Sequence, residues 1–156
     1  MSKNKKIKQS VQVNGNKIPR SIENPNSFFD ESPKWSFQYC DYNHEQWGID
    51  CNFDILPDLF LKFRDFERMT RRDILTTTSG RKSNTRNHPI PLSNLIADAQ
   101  KRFTELNLSE IFDDEIYSLA LTNKLRLFGF IDERGIFSLI WIDKNHGICP
   151  SLKKHT

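Results

Sequence analysis

The chain has 156 residues, 28% of them charged, and a formal net charge of +3. That length suits one domain with a modest core, and no apolar run approaches the roughly 20 residues that cross a bilayer. The charge is uneven: residues 1–20 carry six Lys/Arg and no acid, leaving 17 basic against 20 acidic residues elsewhere, which excludes a uniformly basic nucleic-acid binder.

Residues 1–33, rich in Lys, Asn, Ser and Pro, read as a flexible basic arm. Such an arm is either a solubilising tail or a contact for nucleic acid or a partner. No apolar stretch follows its lysines, so it does not read as a secretory signal. From Lys34, Trp35, Phe37 and Tyr39 alternate with polar residues, the period-two pattern of a strand. Asp41–His44 reads as a turn and Gln46–Phe53 as a returning strand. Leu56, Leu59, Phe60, Phe63 and Phe66 then fall at helical spacing. This predicts an amphipathic helix over residues 56–68, with Pro57 in its first turn. Thr70 is placed to cap a short helix through Thr76.

Residues 79–91 read as a loop carrying Arg81, Lys82, Arg86 and His88 and no acid. These residues are candidates to track a phosphate backbone; a basic loop is also often merely solvated. Ser93 is the predicted N-cap of a helix through Leu106. Residues 109–115 form an acidic turn or helical stub. Tyr117, Leu119 and Leu121 alternate as a strand, and Thr122-Asn123 turns the chain. Residues 125–132 and 136–142 are apolar on both faces, so both are predicted central strands. Asp132–Gly135 closes their hairpin, with Gly135 in a left-handed conformation. Residues 147–149 read as a last edge strand, and residues 151–156 as a polar tail. Together these elements give one α+β domain over residues 34–150.

The cysteines, Cys40, Cys51 and Cys149, are odd in number and lack C-x-x-C spacing. This argues against a disulfide framework or zinc knuckle and points to a reducing, cytoplasmic location. Walker, G-x-G-x-x-G, H-E-x-x-H and nucleophile-elbow motifs are absent, so neither a cofactor nor a metal is expected. One constellation remains. In the antiparallel hairpin, Lys124 and Arg126 at the start of one strand lie beside Asp143, Lys144 and His146 at the end of the other. Cations at such a rim bind phosphate, and a His there transfers protons near neutral pH. The same residues also fit a structural role. Arg126 has Asp132, Asp143 or an acid of residues 110–115 as alternative partners, and Asp143 can simply cap the turn before His146. Trp35, Trp47 and Trp141 read as core.

The element order, strand, helix, helix, then three or four strands, is similar to the RelE/ParE-like bacterial toxin superfamily. So is the run Tyr117–Leu121, Leu125–Gly129 and Phe137–His146. Small bacterial or phage proteins ending in such a hairpin and an Asp-x-x-His turn resemble it too. The resemblance implies a four- to five-stranded antiparallel sheet with two main helices on one face. It implies an mRNA endonuclease, acting on free RNA or at the ribosome and blocked by an antitoxin. Arg126 would stabilise phosphate, His146 would be acid or base, and Lys124 and Lys144 would bind backbone. The alternative is a non-catalytic protein- or nucleic-acid-binding factor in phage–host conflict.

Overall fold

The computed structural model describes residues 28–77 and 86–150. The arm through residue 27, Arg81, Lys82 and the tail 151–156 lie outside the described residues. In chain order the elements are β1 (Lys34–Ser36), α1 (Leu56–Glu67), α2 (Arg71–Thr76), β2 (His88–Pro91), α3 (Ala97–Glu105), β3 (Glu115–Ala120), β4 (Arg126–Ile131) and β5 (Ile136–Asp143). The class is α+β, as the sequence predicts.

The sheet has five strands in the order β1-β5-β4-β3-β2. β2 to β5 are antiparallel neighbours, but β1 runs parallel to β5. The sheet is therefore mixed rather than wholly antiparallel. Almost the whole domain separates β1 from β5, which supplies the long crossover that parallel pairing needs.

The helices also depart from the expected single layer. Leu59 and Phe63 of α1 and Ile74 of α2 pack with Leu119, Leu127, Leu139 and Ile142 on one face. Ala99 and Phe103 of α3 pack with Ile116, Phe128, Ile140 and Trp141 on the other. Central strands that are apolar on both sides require cover on both sides.

A β-bulge joins the two clusters. Gly129 pairs with Leu139 while Phe128 pairs with Trp141, so Ile140 has no opposite number on β4. The extra residue puts consecutive Ile140 and Trp141 on the α3 face. At Gly129 an added Cβ would lie 2.2 Å from the Ser138 carbonyl oxygen.

Local signals explain the remaining agreements and differences. Thr70 and Asp73 form the reciprocal capping box of α2, and Gly135 turns the hairpin at φ +72°. Gln46–Phe53 is not a strand. It folds into turns and a 3-10 segment, Asp50–Ile55. There the Gly48 N–H reaches the His44 carbonyl at 3.0 Å, and an added Cβ at Gly48 would meet Tyr42 O at 2.6 Å. His88–Pro91 is an edge strand rather than loop, the one sheet position where Pro89 and Pro91 lose little by lacking an N–H. Ser93 lies in a 3-10 turn and α3 begins at Ala97. Residues 147–149 form no strand: the Ile148 carbonyl accepts from Ile96 N at 3.0 Å, tying the C-terminal segment to the start of α3. The packed chain also begins before Lys34, because the Phe28 ring lies against Gly135 and Arg72 pairs with Asp30 at 2.7 Å.

Candidate active site

Arg126 opens β4 and pairs in register with Asp143, the last residue of β5. Beyond it the chain makes a tight turn. One Asp143 carboxylate oxygen accepts from Asn145 N at 3.1 Å and the other from Ile148 N at 2.8 Å. Asp143 is 2% exposed, so these bonds satisfy a carboxylate that water barely reaches. The turn carries His146 at φ +57°, a left-handed backbone.

Arg126 NH1 donates to the Arg86 carbonyl at 2.9 Å, while its buried Nε has no partner among the described residues. Burial pushes the Arg126 pKa down, the nearby Arg86 adds to that, and Asp143 opposes it. Burial likewise pushes the His146 pKa below 6.5; Arg126 lowers it further, Asp143 works against that, and His88 contributes a smaller lowering. Thus Arg126, His146, His88, Arg86 and Asp143 occupy one rim of the sheet, on the α3 side. The lowering favours the unprotonated His146 imidazole, the form that can accept a proton.

Asn87, which the sequence reading passed over, sets this rim. Its amide nitrogen donates to the Ile74 carbonyl at 2.6 Å and its oxygen accepts from Ala120 N at 2.7 Å. A buried Asn bonded at both ends fixes Arg86 and His88 between α2 and β3. Nothing in the local sequence marks Asn87, since its partners lie on other elements.

The other predicted cations are placed elsewhere. Lys144 turns away from Arg126 and pairs with Asp54 at 2.7 Å. Lys124 is exposed in the turn between β3 and β4, and its backbone N–H reaches Thr122 Oγ1 at 3.3 Å. Among the described residues no group of three His, Cys, Asp or Glu side chains is placed to hold a metal ion, and no helix is long and apolar enough to cross a membrane.

A second polar centre escaped the sequence reading. Arg102 of α3 grips both Asp41 oxygens at 2.8 Å, and Trp141 Nε1 donates to the same carboxylate at 3.1 Å. Burial raises the Asp41 pKa, but the Arg102 and Trp141 hydrogen bonds outweigh it and hold it below 3.8. With its ions paired and its indole satisfied, this centre reads as a structural clamp.

Family models, curated proteins and solved structures gave no significant match to the chain. The likeness to RelE/ParE-like toxins therefore rests on the sequence alone, on its predicted element order and C-terminal run.

Proposed function

We propose that the protein is a toxin-like endoribonuclease that cuts mRNA at the Arg126–His146 rim, in the cytoplasm and without a metal. The observation that supports this reading is the convergence of Arg126, His146 and His88 beside the Asp143 turn. In the proposed reaction neutral His146 removes the proton of a ribose 2′-OH. The oxygen attacks the adjacent phosphorus, Arg126 offsets the charge that builds on the phosphoryl oxygens, and His88 serves as the acid that delivers a proton to the departing 5′-oxygen. The products are a 2′,3′-cyclic phosphate and a 5′-hydroxyl. Side chains supply all the proton and charge work. Free or ribosome-bound mRNA is the proposed substrate and an antitoxin protein the proposed inhibitor, both on the strength of the sequence resemblance.

The test is expression in bacteria of the unaltered protein, His146→Ala and Arg126→Ala, scored for growth arrest and for mRNA ends bearing cyclic phosphate. Each substitution should lower cleavage by about 100-fold or more while circular dichroism stays native. Unchanged cleavage in both variants overturns the reading.

One observation favours a non-catalytic protein-binding factor instead. Phe37, Tyr42 and Phe60 are 50%, 54% and 63% exposed and surround an apolar groove of about 320 Å³, a surface type that marks protein contacts. In that case Phe60→Glu abolishes partner capture and His146→Ala does not.

A further inference from the structure

Phe130, which packs on the α3 face of the sheet, lines an open groove of about 1170 Å³ together with Ile136, Ser138 and Ser36. α3 contributes nothing to this lining. The groove lies at the hairpin end of the strands, about 17 Å along β4 from Arg126. In its floor the Phe112 ring stacks on Phe130 at 4.1 Å and the Tyr39 ring stands edge-on to Phe112 at 5.0 Å. Ile111, in the same lining, is 51% exposed. An apolar sheet face left open in this way marks a contact surface.

The walls are acidic. Asp113, Asp114 and Glu115 come from the segment that leads into β3, and Asp132 and Glu133 from the hairpin. Arg134 is the one cation among the described residues of the lining, and it pairs with Asp132 at 2.9 Å. The other four carboxylates form no ion pair among the described residues. No three acids there are placed to hold a metal ion, so a single point charge does not answer them. An extended segment with several cations does. Residues 1–20 are such a segment, with six Lys/Arg and no acid, and with Ile7, Val11, Val13 and Ile18 to meet the aromatic floor. The chain also enters at the right place. The Phe28 ring lies against Gly135, next in sequence to Arg134 of the groove. Residues 21–27 stretch to about 25 Å, and the sheet from β1 to β3 is about 14 Å across, so this tether lets the cations reach the whole groove.

We propose that this groove is the docking site of the chain's own basic arm, residues 1–20. Its lysines pair with Asp113, Asp114, Glu115 and Glu133 and lie over the Tyr39 and Phe112 rings. Each exposed ion pair contributes little alone, but the tether holds the arm at a millimolar effective concentration, so the contacts act together. Salt screens such pairs and releases the arm. Docking keeps these cations at the end of the sheet away from Arg126 and His146. The proposal is independent of the RNA-cleaving rim.

The test uses the full chain, with cross-linking by a carbodiimide, which joins lysines to carboxylates in direct contact, and with limited trypsin digestion. Mass spectrometry should find Lys3, Lys5, Lys6, Lys8 or Lys17 linked to Asp113, Asp114 or Glu133 within one chain, and about 0.5 M salt should abolish the links. At low salt trypsin should cut the arm about tenfold more slowly in the unaltered protein than in the triple variant Asp113→Asn, Asp114→Asn, Glu133→Gln. The replaced side chains are exposed, so circular dichroism of the variant should stay native. At high salt the two proteins should be cut alike. His146→Ala should be cut like the unaltered protein, which separates the groove from the rim. Links spread evenly over all exposed carboxylates, links found only between two chains, or equal cutting of the triple variant at low salt overturns the proposal.

Discussion

His146 holds a backbone conformation that costs a residue with a side chain about 1 kcal/mol or more, and it does so at φ +57° because Asp143 dictates the turn. Strain of this kind persists only where the surroundings enforce it. The same surroundings set the chemistry. Neutral His146 is favoured in the fold because burial and Arg126 hold its pKa below 6.5. A group with a lowered folded pKa contributes stability that is complete above the unfolded value and is lost as pH falls through the folded one. Stability should therefore decline as pH drops below 6.5, and His146→Gln should remove that part of the decline. In Arg126→Gln the His146 pKa, followed by NMR titration, should move up; an unmoved value would show that the two groups do not interact. The acidic limb of any RNA cleavage should likewise fall below pH 6.5.

At the level of elements, what the sequence revealed was local. The spacing of Leu59 and Phe63 specified α1, and Thr70 with Asp73 specified the start of α2. Gly135 specified the hairpin, and with it the meeting of Arg126 and Asp143. What it hid was pairing at a distance. Three residues of β1 cannot announce a parallel partner at the other end of the chain, and Pro89 and Pro91 disguise an edge strand as a loop. That second concealment also hid the place of His88 beside the other rim residues. The bulge was invisible too, since Leu139–Ile142 of β5 are all apolar. Its packing is nonetheless tight. Gly129→Ala would drive a methyl to 2.2 Å from Ser138 O and 2.7 Å from the Phe137 ring. The expected loss is about 3 kcal/mol, measured by urea unfolding.

Across the whole molecule one carboxylate gathers three distant parts. Asp41 donates its backbone N–H to the Ile140 carbonyl at 2.9 Å, and its carboxylate accepts from Trp141 of β5 and Arg102 of α3. Asp41→Asn leaves Arg102 only its half-exposed partner Glu105, and should cost about 2–4 kcal/mol at neutral pH. Because the Asp41 pKa lies below 3.8, its contribution is present above that value and vanishes as the carboxyl protonates at lower pH. The variant and the unaltered protein should therefore converge in stability in acid, as urea titrations at several pH values would reveal. Asp41 could not be read as a hub from the sequence, where it sits in an ordinary Asp-Tyr-Asn-His turn.

The unmatched Ile140 in β5 has a consequence for how such a rim can arise or be lost. Along a strand, odd and even positions face opposite ways. One additional residue reverses that parity for everything after it, which is why Asp143 looks toward Arg126 on the α3 side and not toward α1. Deleting Ile140 would leave a regular strand with Asp143 still opposite Arg126, whereas inserting one residue between Ile142 and Asp143 would keep every chemical group of the rim in the chain and yet turn the Asp143 carboxylate to the far side. In this chain the rim is inherited as a count of residues as much as a choice of them.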